Sequence, residues 1–226
     1  MSHKGSKLLI QDYVNKRPDL LKTTILASSP SLLSFIDKEL SITWHSPIEK
    51  EGYKEYRNEF LDLEEEWKEQ KGVLGNYWPR QGPQWDGVAV VQGRNGQKGL
   101  LLIEAKAHVN EMTSKIRAVD DKSKALIEST LEEVRRKFDS HASLDIWLNR
   151  YYQLANRLAY LYLLNEKLGI PTWLVFCNFM DDDTYKSTDL NTWLKHYQQV
   201  LDAMDIRPAS SALFNRIVTV YPRSKE

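Results

Sequence analysis

Glu104, Lys106 and His108 stand two residues apart at the end of an apolar run, GLLLIEAKAH, Gly99 to His108. Side chains alternate across a strand, so Leu101, Ile103, Ala105, Ala107 and Val109 make one continuous apolar face. The other face reads Leu100, Leu102, Glu104, Lys106, His108. A strand that stays apolar on one side and turns polar halfway along the other has its far end at a cleft.

Asp86, eighteen residues before Glu104, supplies a second carboxylate, and the register of the intervening hairpin decides whether the two meet. A two-residue Asn95-Gly96 turn pairs Asp86 with Ala105 and points it to the wrong face. A three-residue loop, Arg94-Asn95-Gly96 with Gly96 left-handed, sets Asp86 opposite Glu104 on the same side of the sheet. The sequence suits the three-residue loop, which is the expectation. Facing carboxylates repel unless a cation sits between them, and oxygen ligands at this density suit Mg²⁺ or Mn²⁺ rather than zinc. Such a cation polarises a phosphoryl oxygen and acidifies a bound water, while Lys106 orients that water or neutralises developing charge. Phosphodiester hydrolysis is the reaction this set serves.

The elements that must position these residues follow from periodicity. Ser31 to Leu40 reads as a short amphipathic helix, and Tyr53, Tyr56, Phe60, Leu63 and Trp67 recur at helical steps, predicting a longer helix over about Lys50 to Gln70. Glycines and prolines from Gly72 to Pro83 break the chain before the hairpin of WDGVAVVQG and GLLLIEAKAH. A charged excursion follows, helical in its second half, and Leu144 to Tyr162 predicts one long helix that Gly169 caps and Pro171 blocks. Thr172 to Phe179 is then a buried strand, parallel to the motif strand across a right-handed crossover. NTWLKHYQQVLDAM and RIVTVYP add a last helix and strand. The expected fold class is α/β, a mixed sheet with helices on both faces.

The composition predicts one folded unit over residues 1–226: 42% of the chain is hydrophobic, with seven Trp and eleven Tyr. The single cysteine, Cys177, excludes an intrachain disulfide, and neither a targeting segment nor a membrane-spanning run is read, so a cytoplasmic protein is expected. Thirty-one basic side chains balance thirty-one acidic ones, so any nucleic-acid contact must come from a local patch. Lys115, Arg117, Lys122, Lys124 and the VRRKF segment are the candidate phosphate contacts. The chain has no Gly-x-x-x-x-Gly-Lys-Ser/Thr loop, no Gly-x-Ser-x-Gly elbow and no Cys-His pair, which argues against a P-loop ATPase and a covalent hydrolase.

Asp86 at the start of one strand, Glu104-Ala105-Lys106 on the next, and a helix and strand afterwards resemble the PD-(D/E)XK nuclease superfamily, whose fold is restriction-endonuclease-like. The resemblance covers about Lys50 to Phe179. More narrowly, GPQWD, EAKAH and YYQLANRLAYLYLL are similar to a bacterial branch of that superfamily. It implies a Mg²⁺-dependent nuclease acting on DNA, with Asp86 and Glu104 as metal ligands, Lys106 as a catalytic residue, a helical lead-in before the core and a helix and strand after it. The proline of the name is replaced by Trp85, and Gln153 is followed by Arg157 where an exonuclease branch carries tyrosine. Members often add a helical glutamate before the hairpin. Glu59 is the choice here, with Glu55 and Glu66 as alternatives.

Each residue also has a plainer reading. Glu-x-Lys alone is often a solvated edge pair; His108 either touches phosphate or a water, or is a hydrogen-bonded strand-end histidine. Gln153 and Asn156 either reach the substrate or are satisfied core amides. A non-catalytic nucleic-acid-binding or interaction module that retains the fold within a defence or repair system is the alternative to the nuclease. A homodimer is also considered, because one domain has little surface with which to embrace DNA.

Overall fold

A five-stranded mixed sheet divides the chain into two apolar layers in a computed structural model that describes residues 3–118 and 120–225. The elements in chain order are α1 (Gly5–Lys16), α2 (Pro18–Ala27), α3 (Pro30–Phe35), β1 (Ile42–Ser46), α4 (Glu65–Lys68), α5 (Gln70–Leu74), β2 (Gly87–Gln92), β3 (Lys98–Lys106), α6 (Asp121–Lys137), α7 (Leu144–Asn149), α8 (Tyr152–Tyr162), β4 (Thr172–Asn178), α9 (Leu190–Ala203) and β5 (Ile217–Val220). The strands lie in sequence order, β1-β2-β3 antiparallel, then β4 parallel to β3 and β5 parallel to β4. Alternation along β3 sends Leu100 and Leu102 into the layer beneath α6 to α9, and Leu101, Ile103 and Ala105 into the layer beneath α1 to α3. Helices cover both faces, as expected for a sheet whose central strands are apolar on both sides.

The hairpin has the expected three-residue loop. Gly93 N–H donates to Gln97 O at 2.8 Å, Gly96 N–H donates back to Gly93 O at 3.0 Å, and Gly96 sits at φ +83°. The left-handed position falls where a side chain would be strained. The resulting register pairs Gly87 with Ile103 and Gln92 with Lys98. The ladder ends there, and Asp86, the next residue, lies beside Glu104 at the end of the sheet.

Three expected helices are corrected. The aromatic stripe from Tyr53 to Trp67 is not one helix over Lys50 to Gln70: Gly52 and Tyr53 both take positive φ, and Tyr56 runs extended to accept the Trp85 N–H at 2.8 Å. Short turns at Glu49–Glu51 and Asn58–Asp62, then α4 and α5, pack Phe60, Leu61 and Trp67 instead. The long helix from Leu144 to Tyr162 is broken at Arg150 and Tyr151. The segment after the motif strand causes the break, because Ser114 N–H donates to Arg150 O at 2.9 Å and Ile116 N–H to Leu148 O at 2.7 Å. Those carbonyls are taken from the helix ladder. The predicted helix at Ser31 is also shorter than expected, since Ile36 leaves α3 to bridge Gly93. The half-exposed edge strand β1 went unpredicted. No helix among the described residues is long and apolar enough to cross a membrane.

Candidate active site

The C-terminal end of β3 opens into a cleft of about 410 Å³, with Asp86, Glu104 and Lys106 in its floor and Gln153, Asn156 and Arg157 from α8 in one wall. Glu104 is 2% exposed and Lys106 9%. Carboxylates so deeply buried need partners, and Glu104 has two. Its Oε1 accepts from Lys106 Nζ, and its Oε2 accepts from Arg157 Nε at 2.7 Å and lies 2.5 Å from Nη2. Arg157 is anchored on all sides: Nη2 donates to Gln84 O at 2.7 Å, Nη1 to Asn156 Oδ1 at 2.9 Å, and the guanidinium lies 4.4 Å from the centre of the Trp85 ring.

Asp86 sits just before β2, where the ladder loosens: its N–H donates to Ile103 O at 3.1 Å, and its Oδ2 accepts the Ala105 N–H at 2.8 Å. The carboxylate thus caps a β3 amide beyond the end of the neighbouring strand. Its other oxygen has no hydrogen-bond partner among the described residues. Burial, and then the charge of Glu104, push the Asp86 pKa up to about 7, against the smaller opposing pull of Lys106, the Ala105 amide and Arg157. Burial works in the same direction on Glu104, yet Arg157 and Lys106 outweigh it and hold that carboxyl below its ordinary value. Lys106 is the converse case. Burial favours the neutral amine, but Glu104 and Asp86 keep its pKa above that of a free lysine, so it is an ammonium. The pair of carboxyls is therefore split, one firmly ionised and one poised near neutrality.

The rim comes from three segments. Lys7 Nζ of α1 meets Glu55 Oε1 at 2.6 Å, the Gln84 side-chain amide donates to Glu55 Oε2, and Ser6 Oγ donates to Glu111 Oε2 at 3.0 Å. Glu111 also accepts the N–H groups of Ala107 and His108 through Oε1, at 3.0 and 3.1 Å. The loop that leads to Asp86 is pressed against α8. A Cβ on Gly82 would come within 2.1 Å of the Tyr160 hydroxyl and 2.2 Å of Asn58 Oδ1, two atoms that share a 2.8 Å hydrogen bond. Gly82→Ala is expected to lower stability by about 1–3 kcal/mol, the usual cost of overpacking, read as a fall in the thermal midpoint.

Of the six residues expected at the site, the structure gathers Asp86, Glu104, Lys106 and Gln153 around one cleft. Glu59 is elsewhere, exposed and lining a hollow away from the carboxylates, with its Oε2 accepting the Arg57 N–H at 2.8 Å. The turn at Gly52, in place of a continuous helix, is what directs Glu55 instead of Glu59 to the cleft. Glu66 is exposed on α4. His108 lies beside the cleft, its Nε2 3.5 Å from Glu111 Oε1 and its ring 5.5 Å from that of Tyr185; its Nδ1 is buried with no hydrogen-bond partner among the described residues. Arg157 was overlooked, although the sequence carried a signal: an arginine flanked by Leu154, Leu158 and Leu161 on an apolar helix face requires a buried anion. Comparison of the chain with models of protein families, with curated proteins and with solved structures returns no match.

Proposed function

We propose that this chain is a divalent-metal-dependent phosphodiesterase that cleaves nucleic acid, most naturally DNA, on a restriction-endonuclease-like fold of the PD-(D/E)XK type. The observation that carries the reading is the floor of the cleft: two carboxylates side by side at the ends of adjacent strands, with a charged lysine two residues beyond the second. The order of elements supports it. Three antiparallel strands, a helical crossover and a parallel fourth strand bring the same strand ends together that the resemblance requires.

The residues fit a hard cation. Mg²⁺ keeps several of its waters and is commonly held by one or two carboxylates together with substrate phosphate, and Asp86 has an oxygen with no protein partner beside Glu104. Among the described residues no cluster of three or more His, Cys, Asp or Glu ligands is present. Asp86 and Glu104 would hold the cation, and when bound it supplies a polarised phosphoryl oxygen and a water acidic enough to attack. The remaining work falls to the chain. Lys106, kept charged, donates a hydrogen bond to the attacking water or to a non-bridging oxygen as negative charge builds there. Arg157 is a positioning residue that keeps Glu104 ionised and fixed.

Cleavage of plasmid and oligonucleotide DNA with and without Mg²⁺ or Mn²⁺ tests the reading. Lys106→Ala is expected to lose about 10²–10³-fold in rate, the usual cost of one charge-stabilising donor, and Asp86→Asn to be inactive, both with a folded spectrum. Wild-type rates in the lysine variant would end it. The alternative of a non-catalytic binding module draws support from the closed Lys106–Glu104–Arg157 network, which leaves Glu104 balanced without any metal. Metal-independent DNA binding with no cleavage under any metal would select that alternative.

A further inference from the structure

The cleft does not end at Asp86. A hollow of about 480 Å³ continues from it, sharing Pro83 and Asn156 and walled by Arg57, Arg117 and Tyr152. A third, of about 690 Å³, continues in turn through Trp78, Pro79 and Ser123 and carries Lys71, Arg80 and Lys122. The three form one groove along the outer side of the loop at Gln81 to Pro83. Its charge is one-sided in a protein whose formal net charge is zero. Five basic side chains line the two outer hollows against two carboxylates, and both carboxylates are already engaged by backbone N–H groups, Glu59 by Arg57 and Asp120 by Ser123, each at 2.8 Å. Arg80 and Arg117 are exposed and form no ion pair among the described residues; Lys122 is exposed and acts on Asp120 only at longer range. The opposite rim of the cleft carries Glu111 and a Glu55 already paired with Lys7. The unpaired cations of the outer hollows are what draw a polyanion along this side.

We propose that this groove seats a single nucleic-acid strand and leads it down to Asp86 and Glu104. The destination rests on the phosphodiesterase reading above; the groove itself does not. A duplex is stiff over roughly 150 base pairs, and its convex backbone does not dip to groups that are 2% and 9% exposed. A single strand bends into such a recess, holding its phosphates to cations and its bases to any aromatic face on the way. Tyr152, half-buried in the wall between Arg117 and the cleft, is the ring in position for that.

Fluorescence anisotropy in EDTA, with oligothymidylate and a duplex of the same length, tests the groove without cleavage. The expected result is single-strand binding tighter than duplex binding by about tenfold or more. In the triple variant Arg80→Glu, Arg117→Glu, Lys122→Glu, single-strand affinity falls by about tenfold or more, and the salt dependence flattens by about two log units per log unit of salt, the share of three phosphate contacts. The same number of reversals outside the groove, at Lys38, Lys195 and Arg207, controls for net charge. Equal affinity for the duplex, wild-type binding by the groove variant, or an equal loss in the control variant overturns the proposal. Because binding in EDTA reads the groove and metal-dependent cleavage reads the cleft, the two readings fail separately.

Discussion

Asp86→Asn is expected to raise the thermal midpoint of the metal-free protein at pH 8, with the gain disappearing as the pH is lowered towards 4. An ionised Asp86 is the least comfortable charge in the site, since burial and Glu104 both oppose it and its pKa is pushed up to about 7. An acid whose folded-state value exceeds its unfolded value of 3.8 binds more protons folded than unfolded. Its contribution therefore falls as pH rises between about 4 and 7, and the cost is fully present above. At about 1.4 kcal/mol per unit the ionised carboxylate costs up to about 4 kcal/mol. If half of that survives local relaxation, the midpoint rises by roughly 4–8 °C in a domain of this size. Asparagine preserves the acceptor for the Ala105 amide, so no hydrogen bond is lost in exchange. Glu104 titrates with the opposite sign, contributing stability that is lost as pH falls below the ordinary carboxylate range, and this sets the acid limb of both proteins. With Mg²⁺ or Mn²⁺ at about ten times its dissociation constant, wild type gains about 1.4 kcal/mol by linkage, and the asparagine variant gains much less. Differential scanning fluorimetry across pH, with and without metal, measures all of this. An asparagine variant that melts lower at pH 8 would mean that Asp86 carries no such cost.

Arg157→Met has the opposite sign and a larger effect. The substitution keeps an apolar stem among the leucines but strips Glu104 of one of its two cations, removes the guanidinium stacked on Trp85 and leaves Gln84 O without its donor. Breaking one side of a buried ion pair costs about 3–5 kcal/mol. The expected fall in the midpoint is roughly 6–20 °C. The double variant Arg157→Met, Glu104→Gln should recover much of the loss, because the stranded charge has gone with its partner. A double-mutant cycle in chemical denaturant measures the coupling; no recovery would mean that the arginine stabilises through packing alone.

The strand, the hairpin loop and the nearness of Asp86 to Glu104 were legible because each depends on local rules: alternation, a left-handed glycine and a count of residues in a turn. β4, α9 and β5 were legible for the same reason, being continuous apolar or amphipathic runs. The elements that failed depend on partners distant in sequence. Nothing in Tyr53 to Trp67 says that Tyr56 will pair with Trp85, and a helical stripe whose backbone is claimed by another segment becomes a series of turns. The break at Tyr151 arises in the same way, from Ser114 and Ile116. Glu59 was chosen from the phase of a helix that does not form, so Glu55 fell out of reach of periodicity. Arg157 was missed because a helix read for its apolar stripe hides a charged residue buried along it.

The turn at Arg94 to Gly96 lies at the far end of β2 and β3 from the cleft and touches none of its groups, yet it sets their parity. Removing one residue from it, or adding one, advances one strand by a single step against the other and exchanges inside for outside along the whole length of β2. Asp86 would then pair with an odd-numbered neighbour and face the layer beneath α1 to α3, while Glu104 and Lys106 stayed where they are. Length changes by two residues restore the original parity and move Asp86 along the strand without turning it over. Substitutions at Arg94 and Asn95 that leave Gly96 in place keep that parity, whereas a single-codon deletion there is as damaging as the loss of a carboxylate.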